Sequence, residues 1–162
     1  MPAPAPELPA QDLAAAPGYL VRRLHQAYTV LWSRSVRADL TGPQFAVLSV
    51  VRQHPGLNQV TVAGMVALDN STMTDVARRL ENRGLLTRTA CPADGRRKLL
   101  TLTPAGRQLL VEVSGDVARL SDRVLAGRSA AQQVAIMAVL TELATDWEFL
   151  TGQPDDVALT RQ

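Results

Sequence analysis

Over residues 71–83 the chain sets hydroxyls and guanidiniums among apolar side chains in an order suited to the base edges and phosphates of DNA. Ser71, Thr72 and Thr74 come first, then Asp75, Arg78, Arg79 and Asn82, while Met73, Val76, Ala77 and Leu80 recur between them at helical spacing. A helix built this way has one apolar side. Its other side offers short hydroxyls near the N-terminus to base edges and arginines further along to phosphates. Asp75 departs from that pattern, because a carboxylate repels phosphate; against DNA its natural partner is the N4 amine of cytosine. An isolated helix of this kind could equally be a solvated amphipathic surface, and the basic segment C-terminal to it tips the balance.

Two short runs, 85–90 and 98–102, bracket a turn over 91–97 that holds Pro92, Asp94 and Gly95, the pattern of a β-hairpin. Arg88, Arg96, Arg97 and Lys98 concentrate positive charge on it. Residues 78–107 carry eight basic side chains against two acidic ones, in a chain whose formal net charge is only +2. Asp94, two residues before Arg96, can brace the loop backbone or hold an arginine outward. A helix followed by a basic hairpin can read DNA in one groove and grip it in the next, with a wing arginine in the narrow, electronegative minor groove.

A second cluster lies nearer the N-terminus. Over 18–40, Leu20, Leu24, Ala27 and Leu31 form one apolar stripe, and Arg22, His25, Thr29 and Trp32 form a mixed basic and aromatic one. Such a helix belongs between two packed bodies.

Caps and breakers mark the elements that must position these groups. Thr41 and Gln44 make a capping box that starts a helix over 43–54, and His54-Pro55-Gly56 stops it. Asn58 caps a short helix over 59–67. Leu68-Asp69-Asn70 then turns the chain into the 71–83 helix, with Asp69 or Asn70 as its cap, which is helix-turn-helix spacing. Thr103-Pro104 starts a further helix carrying Leu110, Val113, Val117, Leu120 and Val124 in one stripe. Gly127 ends it. Ser129 and Gln132 cap a last helix with Ile136, Leu140, Leu143, Trp147 and Leu150 at coiled-coil spacing. A lone helical hairpin leaves those stripes partly bare, so they should pack on the 18–40 helix and on a second copy, predicting a homodimer.

The expected fold is mainly α with a small β-hairpin wing. A winged helix-turn-helix DNA-binding domain spans 41–103, and a helical dimerisation region is drawn from 17–40 and 104–150. A disordered Pro/Ala tail over 1–16 and a C-terminal tail over 151–162 flank them. The 162 residues, 46% hydrophobic and 20% charged, suit a soluble globular protein with a real core. One cysteine, Cys91, excludes an internal disulfide and fits a reducing cytoplasm. No apolar run nears the roughly 18 residues of a membrane span, and MPAPAPELPA lacks the basic start and apolar core of a secretory signal. Two histidines and one cysteine are too few for a metal cluster. With no phosphate loop, paired carboxylates or nucleophile motif, neither a cofactor nor an enzymatic activity is expected.

In order and spacing, LTGPQFAVLSVV (40–51), PGLNQVTVAGMVALDNSTMTDVARRLENRGLL (55–86), PADGRR (92–97) and LTLTPAGRQLL (100–110) resemble the MarR family of winged-helix regulators. The resemblance implies a symmetric dimer whose first and last two helices form the dimer body. It also implies repression of nearby genes by covering a palindromic double-stranded operator, with release by small ligands, often aromatic acids. PGYLVRRLHQAYTVLW (17–32) is further similar to the branch that answers to aromatic carboxylates. There the first arginine of the pair contacts the carboxylate, which falls on Arg22; a guanidinium fork suits a carboxylate bidentately. Tyr19, His25, Tyr28 and Trp32 are candidate walls or hydroxyl partners. Tyr28 lies well round the helix from Arg22, so both serve one pocket only if it straddles a subunit boundary. The alternatives are an interface ion pair for Arg22 and a core position for Trp32. Two departures bear on the operator sequence: Asn70 stands where many members carry a basic residue, and Asp75 where many carry a neutral or basic one. Other readings are a winged-helix protein-docking module, a thiol-redox-responsive regulator using Cys91, and an enzyme acting on aromatic acids.

Overall fold

The computed structural model describes residues 16–37 and 39–151. In chain order they form α1 (Pro17–Ser35), α2 (Gly42–Gln53), α3 (Gln59–Met65), α4 (Asn70–Asn82), β1 (Leu86–Cys91), β2 (Asp94–Leu102), α5 (Pro104–Val124) and α6 (Ala130–Thr151). The expected tails lie outside the described residues except at their inner ends, where Ala16 is the N-cap of α1 and Thr151 closes α6.

The expected caps form. Thr41 and Gln44 close their box on α2, Asn58 accepts from the Thr61 N–H at 3.0 Å, and Thr103 accepts from the Gly106 N–H at 3.0 Å. The Ser129–Gln132 box precedes α6. Helix α4 ends in a Schellman motif: Gly84, at φ 67, donates to the Glu81 carbonyl and Leu85 donates to that of Leu80. Glycine takes this left-handed turn without a Cβ penalty.

Two boundaries depart from expectation. Helix α1 stops at Ser35, short of residue 40, because Val36 turns extended and Asp39 adopts φ 47. That break lets Val36 and Leu40 both enter the core, and the Trp32 indole N–H fastens it by donating to the Leu40 carbonyl at 2.5 Å. The hairpin is also longer than expected. Strands run to Cys91 and from Asp94, so Pro92 and Ala93 alone make the turn. Pairing passes from Ala90↔Lys98 to Cys91↔Asp94, which leaves Gly95, Arg96 and Arg97 as a bulge on β2.

A single core unites α2, α3, α4 and the hairpin base. Val47, Leu48, Val62, Met73, Ala77, Leu80 and Leu100 are fully buried in it, each large side chain contributing about 1.5–3 kcal/mol by leaving water. The turn after α2 is pinned to the wing, since Gly56 donates to Leu100 and Leu100 to Leu57. The start of α5 sits against 84–85, where the Thr103 hydroxyl donates to the Gly84 carbonyl at 2.6 Å.

The chain divides into two compact units at Leu120/Ser121. The first holds α1 to β2 and most of α5, and in it Leu110, Val113 and Leu120 of α5 are buried. In the second, no residue of α6 is buried, and Leu140, Leu143, Trp147 and Leu150 stand exposed.

Candidate nucleic-acid interface

Helix α4 is held by its inward side: Met73, Val76, Ala77 and Leu80 are all buried, as their spacing predicts. Asp69 is its cap, and Asn70 is its first residue. Asp69 accepts from the Thr72 N–H at 2.9 Å and from its hydroxyl at 2.5 Å. The Thr72 bonds hold the Asp69 carboxyl below the usual carboxylate range. The Thr74 hydroxyl donates to the Asn70 carbonyl at 2.8 Å and accepts from the Gln59 amide of α3 at 3.0 Å. Thr72 and Thr74 have therefore spent their hydroxyl protons inside the protein and are left to an outside partner as acceptors only. Ser71 is exposed with no such partner among the described residues. Asp75 pairs with Arg78 at 2.7 Å, while the Arg79 guanidinium engages no carboxylate among the described residues.

The wing carries cations with a carboxylate partner beside cations that have none among the described residues. Arg88 donates from Nε to Glu81 at 2.7 Å and adds a second bond from Nη2, tying β1 to the end of α4. Only 23% of its side chain is exposed. Sequence reasoning grouped Arg88 with the DNA-facing cations; in the structure its charge is neutralised by a partner seven residues upstream, round the tight Gly84 turn. Asp94 performs both tasks expected of it, on different residues. One oxygen accepts from the Arg96 backbone N–H at 3.1 Å, and the other pairs with Arg97 Nε at 3.3 Å. Arg96 and Lys98 are exposed, and no carboxylate pairs with either among the described residues. The bulge thus presents Arg96 from a backbone that Asp94 keeps in shape.

On α1 the structure splits the five candidate ligand residues into two groups. Tyr19, half-buried, and the exposed Arg22 and His25 lie on the first turns, where the Arg23 guanidinium stacks 5.7 Å over the Tyr19 ring. Tyr28 and Trp32 form the other group, with ring centroids 6.1 Å apart, and Trp32 rests on Phe45 of α2 at 5.5 Å. Trp32 is 7% exposed, a core position. Partial burial pushes the Tyr28 phenol above its usual range. Ten residues separate Arg22 from Trp32, about 15 Å along the helix, so a ligand whose carboxylate meets Arg22 reaches the aromatic group only through its ring end. Phe45, Gln59 and Glu81 escaped sequence reasoning. Phe45 and Gln59 act on residues distant in the chain, and Glu81 meets Arg88 only through the Gly84 turn. Only the position of Phe45 at the start of an apolar helix hinted at a packing role.

Among the described residues no three or more His, Cys, Asp and Glu side chains could hold a metal ion, and no helix is long and apolar enough to cross a membrane. The sequence profile of the MarR family matches residues 40–98. The transcriptional regulator HosA of Escherichia coli O127:H6 is 30% identical over 76% of this chain and 90% of its own. HosA of E. coli O111:H- is 37% identical over 56% of this chain and 66% of its own. Among solved structures, the Streptomyces coelicolor transcriptional regulator PcaV, in complex with its natural ligand, superposes with a TM-score of 0.80 at 40% identity, covering 85% of this chain and 98% of that one. Bordetella bronchiseptica BpsR, whose DNA binding is regulated by 6-hydroxynicotinic acid, superposes with a TM-score of 0.73 at 33% identity, covering 78% of this chain and 97% of that one. On fold, helix-turn-helix and wing together, the chain belongs to the MarR family of transcriptional regulators.

Proposed function

We infer that the chain is a homodimeric repressor that covers a palindromic DNA operator and releases it when a small aromatic carboxylate binds beside α1. The observation that carries the DNA reading is a recognition helix fixed by its buried side and followed at once by a braced bulge bearing Arg96. The exposed apolar stripes of α1 and α6 are the surfaces a second copy would cover, with Leu24 61% and Leu143 42% exposed in the single chain. Two copies about a two-fold axis set their recognition helices in successive major grooves, with half-site centres about 10 base pairs apart. A partner that is chromosomal DNA places the protein in the cytoplasm, and its role is binding without turnover.

The effector reading rests on Arg22, an exposed guanidinium with no carboxylate partner among the described residues, beside His25 and Tyr19. BpsR, which answers to a heteroaromatic acid, supports the same ligand class. A panel of hydroxybenzoic and hydroxynicotinic acids tests it through Tm and through anisotropy on DNA from the chain's own promoter. An effector must bind the non-DNA-binding state better, so it should raise Tm and weaken DNA binding together. Arg22→Ala should abolish both responses and leave DNA affinity nearly unchanged. An undiminished response in that variant would remove Arg22 from the pocket.

A further inference from the structure

We propose that Asp75 and Arg78 act as one reading unit that selects a G·C base pair in each half-site, an inference that rests on the chain's being a DNA-binding repressor. Ser71, Asp75, Arg78 and Asn82 fall at i, i+4, i+7 and i+11, one stripe directly opposite the buried Met73, Ala77 and Leu80. Thr72 and Arg79 flank that stripe on one side and Thr74 on the other. A helix held by its inward side lays the opposite stripe deepest in the groove. Asp75 and Arg78 therefore meet base edges, while Arg79 faces the phosphate wall.

Asp75 Oδ1 accepts from Arg78 Nη2 at 2.7 Å, and both side chains are more than half exposed. An exposed pair of this kind adds little to stability. Its effect is orientation: it fixes the plane of the guanidinium and engages one of the hydrogens on Nη2. The other Nη2 hydrogen and Nη1 remain as an end-on fork that matches O6 and N7 of guanine. Asp75 Oδ2 accepts no bond among the described residues and can take the N4 amine of a cytosine beside it. Thymine O4 or guanine O6 in that place would meet a carboxylate and be repelled. The flanking threonine hydroxyls do not compete for purine N7, since Thr72 has given its proton to Asp69 and Thr74 to the Asn70 carbonyl.

The test is selection from a random duplex library with wild type, Asp75→Asn and Arg78→Lys, followed by affinities for the selected and a scrambled duplex and by the Tm of each protein. Wild type should enrich a palindrome with a fixed G·C pair in each arm. Asp75→Asn should relax that pair alone, cutting its preference by roughly 5- to 150-fold. Binding of the same variant to scrambled DNA should hold or strengthen, because a negative charge has gone. Arg78→Lys should lose the same preference, since an ammonium cannot fork. An unchanged Tm separates reading from folding. If Asp75→Asn enriches the same palindrome with the G·C pair unrelaxed, the reading unit is overturned while DNA binding stands. If wild type enriches no sequence, the DNA-binding reading itself falls.

Discussion

Replacing Arg96 by alanine should change how DNA binding responds to salt, by an amount the ion pairs of the structure allow to be worked out. Of the eight basic side chains over 78–107, Arg78, Arg88 and Arg97 are paired with Asp75, Glu81 and Asp94. Arg83 and Arg107 donate to the carbonyls of Asp39 and Leu102. Arg79, Arg96 and Lys98 are the ones given neither a carboxylate nor a carbonyl to hold among the described residues, so they are counted as the phosphate contacts, three per protomer and six per dimer. Each phosphate contact adds about 0.9 to the slope of log K against log salt, so six give about −5.4, and losing Arg96 from both wings leaves about −3.6. Between 200 and 50 mM salt, wild type should therefore gain roughly 12-fold in affinity over Arg96→Ala. The assay is fluorescence anisotropy on a scrambled duplex across that range. The matched control is the double variant Glu81→Ala/Arg88→Ala, which removes one charge of each sign and should leave the slope unaltered. An unchanged slope in Arg96→Ala, or an equal drop in the control, would refute the division into gripping and building cations.

Three other outcomes rest on the packing. A Cβ on Gly106 would sit 2.1 Å from the Leu85 carbonyl oxygen, so Gly106→Ala should cost on the order of 1–3 kcal/mol by forcing α5 off the wing base; an unchanged urea midpoint would contradict it. Asp116 is 4% exposed and accepts from the Arg37 side chain and backbone N–H and from Arg119. The Arg37 hydrogen bonds foremost hold its carboxyl below the usual range. A depressed pKa stabilises the fold above the unfolded value of about 4 and loses that contribution as pH falls through the folded one. Asp116→Asn should therefore lower Tm at pH 7, with the gap closing only below about pH 4; a gap that stays constant down to pH 3 would discount the pair. Leu143→Glu, on the exposed stripe of α6, should convert dimer to monomer in sedimentation and weaken operator binding with it.

What the sequence disclosed about this fold was everything written in local rules. Thr41 with Gln44, Ser129 with Gln132 and Thr103 with Pro104 mark helix starts because a cap and the N–H it serves lie within three residues. Met73, Val76, Ala77 and Leu80 reveal the buried side of α4 because helical periodicity is equally local. The end of α1 was hidden because periodicity continues through Val36 and Leu40, which reach the core in non-helical backbone. The wing's turn was misplaced because a three-residue bulge leaves no periodic trace, and strand pairing across it is set by Asp94 bracing the backbone.

Charge shows the same division more sharply. Sequence counts eight cations over 78–107 and weighs them alike. Folding sets Glu81 beside Arg88 through the Gly84 turn, Asp94 beside Arg97 through the bulge, and the Asp39 and Leu102 carbonyls beside Arg83 and Arg107. Arg88 ties β1 to α4 and Arg97 braces the bulge, so losing either together with its carboxylate partner should disturb the shape of the reading head and spare its salt dependence. Arg96 and Lys98 do the reverse: nothing in the fold requires their charge, and free charge at the tip of a braced bulge has its use only against something anionic. Pairing within the fold, more than membership of a basic stretch, separates the cations that build the wing from those left free for an anionic partner.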